Sequence, residues 1–392
     1  MVKKNRNVAI VGVGQTYHKR RRPDVTQVEL INEAVRAALK DAQLDIADVD
    51  VVVHGNMELF EGTYQGDMWH VDGDGAYMKS GIRITTGGTT GGTLVCATDN
   101  IVTSGLYDVA LCIGFEKMEE GEATGGITGM ADPLWFRWMM SGALSGASFA
   151  ERLEALTMEQ LERLELVAAK LRVQLADNAA RNPYAHLRMK LTIDDVMNSR
   201  LLVYPLRLLH MCPESSGACA LILASEKKAE RITDKPVWIK DHVTTHLEDF
   251  VVGVITEAES TMRRCARKLY ERNKITNPLK QIDTFEMYDP NVWWHMDWMT
   301  EFLFLKPGEN IEMIAKGKTA LEGDFPINAS GGVVSTNPIG ATAMLRVAEA
   351  ALQIRGDAGE HQIPKEVNTA MASSFGGSTW SILNLLTKEK PM

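Results

Sequence analysis

The first third of the chain alternates short apolar runs with longer segments in which apolar residues recur at helical spacing. Residues 8–13, 51–53 and 109–114 are continuous apolar runs, each too short to cross a membrane. Between the first two, residues 28–44 place apolar side chains three or four positions apart, which predicts an amphipathic helix. Continuous apolar strands that alternate with helices are typical of a sheet covered on both faces. The pattern therefore predicts an α/β fold with a parallel or mixed sheet.

The same order of elements returns in the second half of the chain, which predicts two copies of one supersecondary unit. Residues 261–273 have helical spacing, and a turn at 279–283 and a strand at 284–288 follow them. Asp50 and Asp283 hold equivalent places before their strands. The second copy continues with a Gly-rich turn, a helix and two strands, predicted at 330–332, 341–355, 369–373 and 380–386.

A segment between the two copies breaks this order. Residues 121–149 are rich in Gly, Met and aromatic residues, and a polar helical region follows them. A long insertion in a repeated fold is typical of a cover or a binding lobe. We therefore predict three parts: an N-terminal half formed by 1–120 plus 201–230, an inserted lobe at 121–200, and a C-terminal half at 231–392.

Composition and charge narrow the classes of protein. Of the 392 residues, 45% are hydrophobic and 24% are charged, as in soluble globular proteins with room for two domains. The 42 Lys and Arg against 51 Asp and Glu give a net charge of −9, which disfavours a nucleic-acid-coating role. No run reaches about 18 apolar residues, so we expect a cytoplasmic protein. The five cysteines have no CxxC or Cys/His ligand spacing, which predicts reduced thiols and no zinc site in this chain.

Short motifs carry a family resemblance over nearly the whole chain. They are SGLYDV and GFEKM at 104–109 and 114–118, NPYAH at 182–186, PLR at 205–207, ACALILAS at 218–225, EMYD at 286–289 and NPIGAT at 337–342. In this order they resemble the thiolase superfamily. The resemblance implies a duplicated αβαβα layered fold with mixed sheets, an inserted loop lobe that binds coenzyme A, and a dimeric core.

The chain departs from that family where chemistry takes place. Thiolases activate a cysteine at the N-terminus of a buried helix. Counting back from Glu116, the family spacing gives that position to Gly88, and Cys96, two helical turns further on, is predicted to pack in the core. In the C-terminal half, Ser374 stands where the family has a cysteine, and Asn337 stands where it has a histidine. A mechanism through an acyl-cysteine is therefore not expected.

Oxygen- and amide-bearing groups remain as candidate catalytic residues. The pair Tyr288–Asp289 stands where related thiolases have Asn or His. Asn337, or the backbone N–H groups of Gly376 and Gly377, would donate hydrogen bonds to a thioester oxygen. Tyr288 would exchange a proton with an oxygen on the adjacent carbon, tuned by Asp289 or His295. The alternatives are a packed strand residue for Tyr288 and a core histidine for His295.

The surrounding pocket is predicted to be roomy and aromatic. The Gly/Thr tract at 85–92, which includes Gly88, lacks the Lys-Ser/Thr pair of a phosphate-binding loop. We interpret it as a strand-to-helix turn whose missing side chains leave room for a bulky acyl group, with Ser374 in the same pocket. Five tryptophans offer walls that suit an aryl or polycyclic acyl group, or they are ordinary core residues. They are Trp293, Trp294, Trp298, Trp135 and Trp138.

The cysteine-free pattern resembles a subgroup that works with a small zinc-ribbon/OB-fold subunit of the DUF35 type. That subgroup includes benzoylsuccinyl-CoA thiolases, which act in aromatic compound degradation, and steroid side-chain retro-aldolases. The resemblance implies a heterooligomer with a homodimeric core and a DUF35-type partner, and zinc is expected only in that partner. No cofactor is expected to be bound permanently, and coenzyme A and acyl-CoA are expected as substrates or products.

Three functions compete. The leading hypothesis is a thiolase-type reaction on a branched, aromatic substrate, in which a 3-oxoacyl-CoA and CoA give two acyl-CoAs. The alternative is retro-aldol cleavage of a 3-hydroxyacyl-CoA, which needs a base and an oxyanion site but no nucleophile. The third is a non-catalytic, thiolase-like acyl-CoA-binding subunit.

Overall fold

The computed structural model describes residues 6–62, 66–121, 157–246, 260–376 and 380–392. The strands of this part are β1 Val8–Gln15, β2 Val51–Gly55, β3 Ser80–Arg83, β4 Val109–Lys117, β5 Leu201–Val203, β6 Leu206–Arg207, β7 Ser216–Ser225, β8 Val237–His246, β9 Thr284–Glu286, β10 Thr369–Gly376 and β11 Trp380–Thr387. The helices are α1 Gln27–Ala42, α2 Val71–Asp74, α3 Thr90–Ser104, α4 Met158–Arg181, α5 Ile193–Met197, α6 Glu226–Ile232, α7 Thr261–Asn273, α8 Pro278–Gln281, α9 Val292–Leu303, α10 Glu309–Ala315 and α11 Ile339–Arg355.

Nine of the described strands form one hydrogen-bonded sheet in the order β3-β2-β4-β7-β1-β8-β11-β10-β9. The N-terminal part has the parallel strands β3, β2 and β4, followed by β7 and β1 in antiparallel pairing. The C-terminal part repeats this scheme, with β9 parallel to β10 and with β11 and β8 antiparallel. The two parts meet only through two residue pairs of β1 and β8. The predicted duplication with mixed sheets is thus confirmed.

Asp50 and Asp283 have the same structural role in the two halves. Oδ2 of Asp50 accepts hydrogen bonds from the N–H groups of Asp108 and Val109, both at 2.9 Å. Oδ2 of Asp283 accepts from Asn368 and Thr369, at 2.8 and 2.9 Å. In each half the carboxylate therefore joins the starts of two parallel strands, which explains why the residue recurs.

The helices and the sheet form the layers that the family resemblance implies. One outer helix, α1, packs on β1 and β7, while α3 and α11 pack together between the two parts of the sheet. On the far side, α7 covers β8 and β11, and α9 packs against α7. At the crossing of α3 and α11, a Cβ added to Gly91 would lie 2.4 Å from the backbone nitrogen of Met344, so the two helices approach closely because Gly91 has no side chain.

Two predicted boundaries are wrong. The turn predicted at 279–283 contains the single helical turn α8, which starts at a proline in the favoured first position. The strand predicted at 284–288 ends at Glu286 because the next two backbone N–H groups are bound by side chains. Met287 donates to Oδ1 of Asn328 at 2.5 Å and Tyr288 to Oγ of Ser373 at 2.9 Å. This early end releases Tyr288 from the sheet.

The predicted three-part division stays a prediction, because most of the first part of the inserted lobe lies outside the described residues. The described part of that segment includes α4, which begins with a capping box formed by Thr157 and Gln160. No described helix is long and apolar enough to span a membrane.

Candidate active site

Three segments meet at the position that the family resemblance gives to the missing nucleophile. Gly88 lies just before α3, Tyr288 just after β9, and Phe375 near the end of β10. A Cβ added to Gly88 would lie 2.5 Å from the carbonyl oxygen of Phe375 and 3.7 Å from the hydroxyl oxygen of Tyr288. The Phe375 carbonyl therefore excludes a side chain at Gly88, and the phenol of Tyr288 lies beside this position.

Tyr288 is held by its backbone and by apolar contacts. It packs with Val333 and Ala343, and Cys212 and Phe375 contact this cluster. Burial, with a smaller effect of the Cys212 thiol, raises the pKa of the phenol above its ordinary range. The hydroxyl is therefore protonated at neutral pH and is able to donate a hydrogen bond.

The side-chain amide of Asn337 has a fixed orientation. Its Oδ1 accepts a hydrogen bond from the Thr342 hydroxyl at 2.8 Å, and its backbone N–H donates to Oγ of Ser215 at 3.0 Å. The amide nitrogen Nδ2 then faces Sγ of Cys212, at 3.3 Å. Asn337 thus presents N–H groups to the wall that it shares with Cys212, as an oxyanion donor must.

Cys212 was not selected by the sequence analysis, and the structure places it beside Asn337. Burial and the negative charge of Asp289 raise the pKa of its thiol to about 12, so the neutral thiol predominates at physiological pH. The sequence offers one signal for Cys212, which is its position in the loop before β7. The structure therefore brings together a phenol, an amide and a neutral thiol.

Asp289 and His295 lie behind these groups rather than among them. Oδ1 of Asp289 accepts from the N–H of Val333 at 2.7 Å, and Oδ2 pairs with Nδ1 of His295 at 2.9 Å. Both side chains are fully buried. With both of its oxygens engaged, Asp289 holds the turn that leads to Asn337. Nε2 of His295 is buried and has no hydrogen-bond partner among the described residues, and the catalytic roles predicted for this pair stay predictions.

The room predicted around the Gly/Thr tract is mostly filled by protein. Added Cβ atoms would lie 2.4 Å from Met344 at Gly91 and 2.0 Å from Oγ of Ser374 at Gly92. The expectation that the missing side chains leave space for substrate is therefore wrong at Gly88, Gly91 and Gly92, where glycine allows close packing instead. Ser374 points at α3, and no described group binds its hydroxyl.

The end of β10 is only partly described. Gly376 pairs with Trp380 across the β10–β11 hairpin. A Cβ added to Gly376 would lie 3.0 Å from the Thr89 side chain, so the end of β10 lies against the start of α3. Gly377 lies outside the described residues, so its predicted role stays a prediction.

An aromatic wall lies next to Tyr288. The ring centroids of Trp294 and Trp298 are 5.2 Å apart and stacked, and Phe375 lies 5.2 and 4.8 Å from them. Phe375 is in turn 6.0 Å from the ring of Tyr288. Trp293 turns away and donates a hydrogen bond from Nε1 to Nδ1 of His210 at 3.1 Å. Trp135 and Trp138 lie outside the described residues.

The sequence analysis also missed a buried carboxyl pair at the start of α11. Oε2 of Glu116 accepts from the N–H groups of Gly340 and Met57 at 2.8 and 3.1 Å. The amide of Asn56 contacts Glu116 at 3.3 Å and Glu61 at 3.1 Å. Burial and Glu61 raise the pKa of Glu116 well above its ordinary range, which keeps it protonated. This pair fixes the start of α11, and with it the neighbouring Asn337.

Comparison with known proteins identifies the family. The chain matches the thiolase N-terminal domain over residues 8–160 and a thiolase C-terminal domain-like family over residues 252–387. It is 30% identical over 388 residues to an acetyl-CoA acetyltransferase of Methanothermobacter thermautotrophicus, covering 95% of this chain and 97% of the relative. It is 28% identical over 385 residues to human sterol carrier protein 2, covering 92% of this chain and 68% of the relative.

Comparison with solved structures gives the same fold. A structure described as an Ltp2-ChsH2(DUF35) aldolase has a TM-score of 0.79 and 23% identity, with 98% of this chain and 99% of that chain covered. Human mitochondrial 3-ketoacyl-CoA thiolase in complex with CoA has a TM-score of 0.69 and 15% identity over 99% of both chains. The chain therefore belongs to the thiolase superfamily.

Proposed function

We propose that the protein cleaves or forms a carbon–carbon bond in a CoA thioester by aldol chemistry, with a 3-hydroxyacyl-CoA as the cleaved substrate. The observation that carries this proposal is the Tyr288 hydroxyl, which lies 3.7 Å from a Cβ position at Gly88 that no side chain can fill. A phenol thus stands beside the place where the family's nucleophile is expected. This favours retro-aldol cleavage, the alternative hypothesis of the sequence analysis, over the leading hypothesis of a thiolase-type reaction.

The cleavage step assigns one proton to Tyr288. Because the phenol is protonated at neutral pH, Tyr288 first loses its proton to solvent. As the C2–C3 bond breaks, the proton of the 3-hydroxyl moves to the tyrosinate oxygen, and C3 becomes an aldehyde or ketone. The electron pair of the broken bond moves to C2 and the thioester oxygen, which gives an enolate. A proton from solvent then adds to C2, and the shorter acyl-CoA is released. In the reverse direction, the protonated phenol donates to the new alkoxide.

Asn337 stabilises the charge that develops in this step. Its Nδ2–H groups would donate to the thioester oxygen, which becomes negative in the enolate. Since Thr342 fixes Oδ1 of the amide, little reorganisation is needed when the charge appears. The N–H groups of Gly376 and Gly377 are proposed as further donors.

The substrate that we propose has an aryl group near the cleaved bond. Phe375, Trp294 and Trp298 form a wall whose nearest member lies 6.0 Å from the Tyr288 ring. Such faces favour offset stacking with a planar ring. This supports an aromatic acyl-CoA and a role in aromatic compound degradation.

One observation favours thiolytic cleavage as the second candidate. The Cys212 thiol lies 3.3 Å from Nδ2 of Asn337, so a sulfur atom is present beside an oxyanion donor. Against it, the raised pKa of this thiol leaves little thiolate to attack a ketone. Thiolysis would require either a large drop of this pKa on substrate binding or direct attack by the CoA thiolate.

Two substrates with the same aryl group separate these reactions. Retro-aldol cleavage turns 3-hydroxy-3-phenylpropanoyl-CoA into benzaldehyde and acetyl-CoA without free CoA. Thiolysis turns 3-oxo-3-phenylpropanoyl-CoA and CoA into benzoyl-CoA and acetyl-CoA. We expect benzaldehyde from the first substrate in the absence of CoA. Turnover of the second substrate alone, with strict dependence on CoA, would overturn the aldol proposal.

We also propose that the protein works as an assembly. Its core would be a homodimer, supported by the exposed edge strand β3 and the apolar side chains around it. A small DUF35-type subunit would complete it, supported by the likeness to an aldolase solved with such a subunit. Zinc would belong to that subunit, and CoA and acyl-CoA would be substrates rather than resident cofactors.

A further inference from the structure

A buried arginine next to the site has unpaired hydrogen-bond donors. Arg172 lies on α4 and is completely buried, and its Nε donates to the carbonyl oxygen of Leu209 at 2.8 Å. Its two terminal nitrogens have no hydrogen-bond partner in the described part of the chain. A guanidinium has five N–H groups and no acceptor, so four of them are unsatisfied here. Burying such groups is costly unless an acceptor meets them.

The neighbouring histidine adds a donor rather than an acceptor. Nδ1 of His210 accepts from the N–H of Arg207 and from Nε1 of Trp293, both at 3.1 Å. Nδ1 is therefore unprotonated, and the neutral ring carries its proton on Nε2, which is buried and also without a partner among the described residues. Burial and the charges of Arg207 and Arg172 lower the pKa of His210 to about 3, which keeps the ring neutral. Arg172 and His210 thus present donors without acceptors.

The nearby carboxylates do not supply the missing acceptor. The charge of Asp289 acts on Arg172, but both oxygens of Asp289 are already engaged by Val333 and His295. Oε1 of Glu165 lies 3.8 Å from a terminal nitrogen of Arg207 and makes no hydrogen bond to Arg172. No described residue therefore supplies the acceptor, and a group from outside the described part of the chain is what this environment suits.

A substrate group that accepts hydrogen bonds from Arg172 and His210 would lie close to the pocket proposed for the thioester. Cys212, which contacts Asn337, follows His210 by two residues, and its N–H binds the carbonyl oxygen of Pro290 at 2.9 Å. This bond joins the loop that carries His210 to the segment that carries Tyr288. The phosphates of CoA lie at the far end of the pantetheine arm, so an anion on the acyl group is the closer source.

We propose that Arg172 and His210 form a site for a carboxylate carried by the acyl group of the CoA thioester. The two terminal nitrogens of Arg172 match the two oxygens of a carboxylate, and Nε2–H of His210 adds a third donor. This inference deepens the proposed function, on which it rests, because it assumes an acyl-CoA in the pocket. It defines the substrate class as a thioester of a dicarboxylic acid.

Binding of thioesters that cannot react tests this site separately from catalysis. We would measure Kd for succinyl-, glutaryl- and adipoyl-CoA against butyryl-, pentanoyl- and hexanoyl-CoA, none of which has the 3-hydroxyl that cleavage requires. In the wild-type assembly, the carboxylate-bearing member of at least one matched pair should bind about 10- to 100-fold more tightly. Equal affinities within all three pairs would overturn the proposal, whatever reaction the enzyme catalyses.

Variants assign the preference to Arg172. Arg172→Gln should bring the affinity ratio of the preferred pair close to one while leaving the affinity for the uncharged thioester unchanged. Arg172→Lys should retain part of the ratio, and Arg163→Gln, an exposed change on the same helix, should retain all of it. An equal loss of affinity for both members of the pair would contradict an acyl carboxylate and assign Arg172 to the phosphates of CoA. If Arg172→Gln does not fold, the ratio in Arg172→Lys decides.

Discussion

Burial is the main cause of the raised pKa of Tyr288, and it also raises the pKa of the Cys212 thiol. The two effects have different consequences for chemistry. A protonated phenol is an effective hydrogen-bond donor, and its conjugate base is strongly basic, so Tyr288 suits proton exchange with an oxygen. A protonated thiol is a poor nucleophile. The environment of these two side chains therefore favours the reaction without a covalent intermediate.

Replacing Tyr288 tests its role directly. Tyr288→Phe removes the hydroxyl and keeps the ring contacts, so cleavage of 3-hydroxy-3-phenylpropanoyl-CoA should fall by about 10²- to 10⁴-fold with little change in acyl-CoA affinity. The matched control is Tyr270→Phe, since the Tyr270 hydroxyl is also buried but donates to the carbonyl oxygen of Phe302. The control should lose stability and keep its rate.

The pH profile distinguishes a proton-transfer role of Tyr288 from a structural one. Because the pKa of the phenol is raised above 10, the tyrosinate fraction at pH 7 is small and grows tenfold per pH unit. The kcat/KM for cleavage should therefore increase from pH 7 to pH 9 without a plateau, and this increase should be absent in Tyr288→Phe. Unchanged turnover in Tyr288→Phe would contradict a catalytic role of Tyr288, and unchanged turnover in Asn337→Ala as well would support a non-catalytic acyl-CoA-binding subunit.

Replacing Cys212 tests the competing thiolase-type mechanism. Cys212→Ser keeps a polar group near Asn337 and removes the sulfur, so retro-aldol cleavage should stay within about tenfold of the wild-type rate, because no step uses a thiolate. Intact-mass spectrometry during turnover should show no acylated enzyme. A loss beyond 100-fold, together with an acyl adduct on Cys212 in the wild type, would establish the thiolase-type mechanism.

The crossing of α3 and α11 fixes the relative positions of two segments of the proposed site. Gly88 lies two residues before the start of α3, and Asn337 lies two residues before the start of α11. The two helices touch at Gly91, where a Cβ would lie 2.4 Å from a backbone nitrogen of α11. A backbone atom cannot move aside as a flexible side chain can, so this contact constrains both helix starts.

Gly91→Ala should therefore separate the helices. We expect the free energy of unfolding to decrease by about 1–3 kcal/mol, as in other overpacked interiors, and activity to fall because Asn337 moves away from Gly88. Denaturant unfolding and steady-state kinetics measure the two effects. The control is Asn100→Ala, an exposed change on the same helix, which should decrease neither. A stable, fully active Gly91→Ala variant would contradict this account.

Sequence patterns predicted the elements well where local signals were strong. The apolar runs at 8–13, 51–53 and 109–114 all lie in strands, and the helix predicted at 261–273 has these bounds. Strand β9 was predicted two residues too long. It ends where the side chains of Asn328 and Ser373, which are distant in sequence, accept the next two backbone hydrogen bonds. A pattern read along the chain contains no information about such acceptors.

The candidate site was only partly predicted, because segments that are distant in sequence bring its residues together. Tyr288 and Asn337 were identified through the family motifs, whereas Cys212 and Arg172 become visible only when the loop before β7 meets α4 and the segment after β9. Asp289 was selected because it is adjacent to Tyr288, and its carboxylate binds the N–H of Val333 and the His295 ring, so its catalytic role stays a prediction.

The edge of the sheet determines how two copies of the chain can associate. Strand β3 is the outermost strand of the N-terminal part, and no other described strand pairs with its outer edge. Met78 is 88% exposed and Tyr77 is 73% exposed just before β3, and Ile82 is exposed within it. An open edge with apolar side chains is a template for pairing with another chain. We expect β3 of two copies to pair across a twofold axis.

Charges on this edge should prevent that pairing. Met78→Asp with Ile82→Asp places like charges from both copies opposite each other, so light scattering after size exclusion should give half the wild-type mass. The control is Leu279→Asp, a similarly exposed apolar residue on α8, which should leave the mass unchanged. A wild-type protein that is monomeric at micromolar concentration, or a double variant that remains dimeric, would show that β3 is not the interface. Since β3 leads into the turn that carries Gly88, loss of the dimer should also reduce the cleavage rate.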